Sequence, residues 1–421
     1  MIRRVAWLLL ALWWPSLAFA DHQFAQVYVS GENTPSATAA RYNVLHGGGA
    51  WDATENNRKA LMGAAGTLTN FRVTLASAAG AGKSLVISVR VNGATSALSC
   101  TFNDGTTVAC LDTSLVTVAA GDEVNVLATP ASTPTVSTVT YACDFLPTTA
   151  GLNSYGGGAF STNLSSVVTE YLAPQAPDTV GTTEFSQSML MPFAGTIEAL
   201  YVELSAAPDL GAGVQSRTFT VRVNNTTNSD CIVTISEAGL TGNDVTCSTT
   251  FVAGDYLSIA SEVALAPTAA LAWTGLAIQP DQVGQFALGL SPSELDVTNE
   301  MFNRVNVGSK SSWQVTNRNN RHQETNSFVG QALYVLLSGA PDNGAGTQSY
   351  TITLEDNEVD TALTVTVSEA SVSNNITGLN VQFSGDDLLT YDSDPVGTPT
   401  VRNAMVSVLC FNSPRRGVLI Q

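Results

Sequence analysis

The chain is poor in charge, poor in histidine and poor in long apolar runs, and each shortage removes a class of function. Charged residues make up 12% of its 421 residues, and 17 Lys and Arg stand against 35 Asp and Glu. The net charge of −18 becomes −20 once Arg3 and Arg4 are removed with a leader, so the chain offers no basic footprint for nucleic acid or anionic membrane. Its three histidines, His22, His46 and His322, sit in unrelated contexts. Neither H-E-x-x-H nor G-x-S-x-G occurs, which leaves zinc-protease and α/β-hydrolase chemistry without a motif. None of the six cysteines forms a C-x-x-C pair, so thioredoxin-like and zinc-ribbon readings lack support. The segment Gly80-Ala81-Gly82-Lys83-Ser84 ends like a phosphate-binding loop. It has Ser77 where the leading glycine belongs, and it runs into a strand pattern instead of a helix.

The one long apolar run is at the start. Arg3 and Arg4 precede an apolar stretch over residues 5–14, and Ala18-Phe19-Ala20 is a small-x-small cleavage site. The stretch is short of the roughly 20 residues a bilayer span needs. Residues 1–20 are therefore expected to be a cleaved signal peptide, with a mature chain from Asp21 that is secreted or displayed at the surface through bacterial export and does not insert in the membrane. In an oxidising compartment the six cysteines are read first as disulfide partners.

What the sequence has in abundance is repetition. Gly80-Ala81-Gly82 recurs as Gly211-Ala212-Gly213 and Gly344-Ala345-Gly346, at spacings of 131 and 133. Gly121-Asp122 recurs as Gly254-Asp255 and Gly385-Asp386, at spacings of 133 and 131. Between the landmarks lie alternating strands. Leu85, Ile87, Val89 and Val91 fall on one face in the first copy, Phe219, Val221 and Val223 in the second, and Tyr350, Ile352 and Leu354 in the third. Period two with one apolar face describes a half-buried strand packed on a second sheet, and Asn92-Gly93 supplies a tight hairpin. A period of about 130 residues is the size of a domain, well beyond a solenoid repeat. The expected fold is all-β, with three tandem β-sandwich, jelly-roll-like domains. They are placed at residues 44–151, 152–280 and 281–421, after a lead-in at 21–43.

Candidate sites follow from the copies. Cys100 and Cys110 flank the turn Asn103-Asp104-Gly105, and Cys231 and Cys247 take corresponding positions in the second copy, so two local disulfides are expected. Cys143 and Cys410 lie near the last strands of their copies and are read as unpaired, buried thiols, or as a pair across copies. Acidic residues cluster in the third copy: Glu355-Asp356-Asn357-Glu358 with Asp360, then Asp386-Asp387, then Asp392 and Asp394. Calcium takes several oxygens from such loops, which makes Asp386, Asp387, Asp392 and Asp394 the candidate ligands beside the plainer reading of solvated turn carboxylates. No other cofactor is expected. Trp51, Phe160 and Trp273, with Tyr155 and Trp313, are candidates for a sugar-stacking platform, or else core aromatics.

The Gly-Ala-Gly turn, the strand end at Val89 to Gly93 and the later Gly-Asp turn resemble a loose class of tandem jelly-roll or β-sandwich repeats found in bacterial exported and phage tail-associated proteins. That resemblance implies structural or binding work at a surface, although a phage structural protein would carry no signal peptide. The expected function is a secreted, non-enzymatic structural or adhesive protein whose partners are copies of itself or a surface glycan or protein. The alternative is a carbohydrate-binding array. A glycoside hydrolase comes third, since it needs two facing carboxylates in a cleft.

Overall fold

A computed structural model describes residues 26–47, 49–159, 162–175, 180–209, 214–305, 313–315, 322–323, 327–342, 347–385 and 387–412. The expected signal peptide, Phe160, Asp386 and the second and third Gly-Ala-Gly turns lie outside them.

The first unit contains β1 (Gln26–Asn33), β2 (Arg41–Asn43), β3 (Ala60–Leu61), β4 (Gly66–Leu75), β5 (Ser84–Val91), β6 (Ala94–Phe102), β7 (Ala109–Asp112), β8 (Val116–Val118), β9 (Glu123–Ala131) and β10 (Val139–Pro147). One antiparallel sheet has the order β1-β10-β4-β7, with β8 continuing alongside β4. The other has the order β2-β9-β5-β6, with β3 alongside β9. The pairs nest as in one long hairpin: β5 with β6, β4 with β7 and β8, β2 and β3 with β9, and β1 with β10. Rolling that hairpin so that β9 meets β5 and β10 meets β4 gives a jelly roll. The second unit (strands from Asn153–Gly158 to Ala272–Pro280) and the third (from Gln285–Glu294 to Asn403–Phe411) repeat the same two orders.

The alternating strands lie as their sequence implies. Leu85, Ile87 and Val89 are buried between the sheets, as are Phe219 and Val221, and Tyr350, Ile352 and Leu354. The turn after β5 is the two-residue type, with Asn92 at φ 50° and Gly93 at φ 73°. Residues 21–43, read as a lead-in, instead contain the first two strands of the first jelly roll: β1 pairs with β10 and β2 with β9. β1 begins the sandwich because a jelly roll joins its two chain ends as neighbouring strands.

The units form a closed cycle. Each one sets a short strand, which in the first two units follows a 3-10 turn, against the first and last strands of the next. β3 packs on Asn153–Gly158 and Ala272–Pro280 of the second unit. Met189–Leu190 of the second packs on Gln285–Glu294 and Asn403–Phe411 of the third, and His322–Gln323 of the third packs on β1 and β10. The cores share side chains in the same sense. Ala199 and Ala277 join the first unit's core, Ala287 the second's, and Val27 and Ala142 the third's. Small residues and glycine let the backbones approach. A Cβ on Gly63 would lie 2.2 Å from the carbonyl oxygen of Leu276, and one on Gly156 would lie 2.9 Å from the Cβ of Ala60.

Candidate functional site

Two disulfides form as the spacing implies. Cys100 on β6 bonds Cys110 on β7, with Cα atoms 5.8 Å apart, and Cys231 bonds Cys247 at 4.8 Å. β6 and β7 are the terminal strands of opposite sheets, so the first bond ties the two layers together at their outer edge. Cys143 and Cys410 form no disulfide and are buried in the cores of the first and third units.

The aromatic candidates among the described residues are engaged within the protein. Trp273 is 1% exposed: its indole N–H donates to the Asn56 carbonyl of the neighbouring unit at 3.1 Å, and Lys59 Nζ lies 3.9 Å over its ring. Such a ring has no open face for a sugar, because the seam between the first two units has closed on it. Trp51 is half-buried, donates to the Asn33 carbonyl at 3.1 Å and packs beside Tyr141. Tyr155 and Trp313 are buried.

The same seam holds an ionic cluster across two units. The ammonium of Lys59 contacts the carboxylate of Glu123 in its own unit and lies 3.4 Å from that of Glu203 in the next. Burial, with Glu123 alongside, pushes the Glu203 carboxyl up to about 7 against the pull of Lys59. His46 is buried nearby, its ring centroid 4.9 Å from that of Tyr28, and burial pulls it down to about 4, so it stays neutral at physiological pH.

The third unit carries the acidic site, in a form different from the one expected. Asp387 serves the turn: its Oδ2 accepts the Ser384 N–H at 2.6 Å, and its Oδ1 accepts from Asn357 Nδ2 at 3.1 Å. Asp122 and Asp255 do the same, accepting from Ala119 and Val252 and from Asn92 and Asn224. The third counterpart of these turn residues is therefore Asp387, and not Asp386 as the Gly-Asp spacing implied. Of the four proposed ligands, Asp392 enters a three-carboxylate group, and its partners there are Glu355 and Asp360. One oxygen of each lies within 4.8 Å of the others. Asp394 is exposed one pleat further along and adds its charge to the group. Asp392 is 6% exposed, and its Oδ1 has no hydrogen-bond partner. Burial raises its pKa to about 8, helped by Glu300, Glu355, Asp360 and Asp394. The hairpin over Asn357 and Glu358 sets Glu355 opposite Asp360, which the sequence Glu355-Asp356-Asn357-Glu358-Val359-Asp360 could have indicated. Asp392 arrives from a strand paired on the other side, a contact no local pattern carries.

No family model matches the chain, and no curated protein is similar to it. Among solved structures, the chain is similar to one described as the triple jelly roll fold and turret assembly in an archaeal virus. The match covers 82% of this chain and 78% of the other at 9% identity, with a TM-score of 0.17. Among the described residues no helix is long and apolar enough to cross a membrane, and the two disulfides fit an extracellular protein.

Proposed function

We propose that this is an exported, non-enzymatic structural or adhesive protein, a single-chain three-unit body that associates with copies of itself at the cell surface. The observation that carries this reading is the arrangement of edges. Ring closure uses the first and last strands of each unit and leaves β6 and β7, with their counterparts in the other units, as the terminal strands of their sheets. A terminal strand offers unpaired N–H and C=O groups that template pairing with another chain. Apolar side chains are exposed on these strands or in the loops beside them: Leu111 and Leu115 in the first unit, Ile232 and Val245 in the second, and Val359 and Val372 in the third. Some edge groups are held within the unit, Ser99 N–H by Asp112 and Ile232 N–H by Asp244, and the buried aromatics favour assembly over sugar stacking.

Negative-stain microscopy with light scattering on the mature protein, with and without calcium, tests the proposal. Filaments or ordered oligomers are the expected result, and Leu111→Lys should reduce them by placing a charge on the edge. A strictly single-chain species under both conditions overturns self-assembly and makes a glycan-array screen the next measurement.

A further inference from the structure

At one register position the third unit reverses the charge of the other two. Arg90 lies opposite Thr95 and Asn125, and Arg222 opposite Asn228 and Ser258. The same place in the third unit holds Glu355, opposite Asp360 and Thr390. In the first two units the guanidinium is held by a carboxylate from the 3-10 turn. Arg90 Nε donates to Glu55 at 2.7 Å, and Arg222 Nε to Glu184 at 2.7 Å. Asn125 and Ser258 donate to the same carboxylates. This sheet face is thus built around one cation among oxygens. The third unit replaces that arginine with a carboxylate and adds two more.

A second observation is independent of the clustering. Asp392 is 94% buried and its Oδ1 has no donor, while one of its carboxylate oxygens lies within 4.8 Å of one each from Glu355 and Asp360. A buried carboxylate oxygen without a donor is costly, and a bound cation removes that cost. Oxygens on opposite sides of a calcium ion, each at about 2.4 Å, stand about 4.8 Å apart. One oxygen of each of the three carboxylates falls within that span of the others, and calcium, unlike magnesium, accepts an irregular shell of carboxylate oxygens and water. We propose that Glu355, Asp360 and Asp392 bind a calcium ion, with water completing the shell on the exposed Asp360 side.

The test is isothermal titration calorimetry with thermal unfolding on the mature full-length chain, stripped with chelator and titrated with calcium chloride. Saturable binding is expected with Kd of about 10⁻⁴–10⁻³ M, the range of extracellular modules. At 10 mM calcium the unfolding midpoint should rise by about 2–4 °C. Asp392→Asn and Asp360→Asn should each weaken binding at least about tenfold, and Asp394→Asn by less than about threefold, because Asp394 supplies charge and no ligand atom. Asp360 is exposed, so its variant keeps the fold intact and the result readable. Absence of saturable calcium heat in the unaltered chain overturns the site. An undiminished calcium response in both Asp392→Asn and Asp360→Asn, with unchanged circular dichroism, overturns it as well.

Discussion

Asn92, Asn224 and Asn357 play one role in three units. Each sits in the left-handed region, at φ 50°, 54° and 52°, at the end of the central strand. Each donates through Nδ2 to the turn aspartate, and its Oδ1 accepts the following strand's first N–H: Glu123, Tyr256 and Leu388 respectively. One side chain thereby locks two turns together, and asparagine tolerates the backbone that this needs. Asn92→Ala should cost about 1–3 kcal/mol, from the lost bonds and the strained φ. Asn92→Gly should cost less, since it recovers the backbone freedom. Urea unfolding of both variants separates the two contributions. The sequence shows Asn92-Gly93 as a turn, but it does not show the partner aspartate 30 residues on. That partner is legible only through repetition, and in the third copy, with two adjacent aspartates, the Gly-Asp spacing points to Asp386 where the hydrogen bonds select Asp387.

At the scale of elements, the seam between the first two units depends on pH. Glu203 holds its proton up to about pH 7 in the folded chain, because burial and Glu123 disfavour its charge, whereas an unfolded glutamate loses it near 4.3. Between those values the folded state binds the extra proton, so stability falls as pH rises from about 4.5 to about 7 and is flat in this respect above. Glu203→Gln mimics the protonated form. It should flatten that slope, raising the unfolding midpoint at pH 8 and leaving it nearly unchanged at pH 4.5, as scanning fluorimetry across pH would show. Nothing in the sequence pairs Lys59 with Glu203, which are 144 residues apart and share no motif. The strands themselves were legible, because alternation follows from a two-layer sandwich and needs no knowledge of which strand is the neighbour.

At the scale of the whole molecule, the three units are expected to unfold together. Each core contains side chains of the next unit, such as Ala277 in the first and Ala287 in the second, so melting one unit exposes apolar surface on its neighbour. Calorimetry should give one cooperative transition. Gly63→Val, which drives a side chain into the Leu276 backbone, should split that transition or lower it by several degrees. Separate transitions in the unaltered chain would show that the seams contribute little.

The sequence by itself determined what depends on neighbours along the chain: the three copies, the faces of their strands, the tight hairpin after β5, and two disulfides whose partners lie 10 and 16 residues apart. The tertiary structure decided what depends on long-range pairing. It drew residues 26–43 into the first jelly roll, buried Trp273 in a seam, closed the units into a cycle and brought Asp392 to Glu355 and Asp360. The division has a physical cause. Alternation and turn chemistry are properties of a short stretch of backbone, whereas a jelly roll pairs its first strand with its last. Its sites are therefore assembled from residues whose shared position exists only after the chain has rolled up.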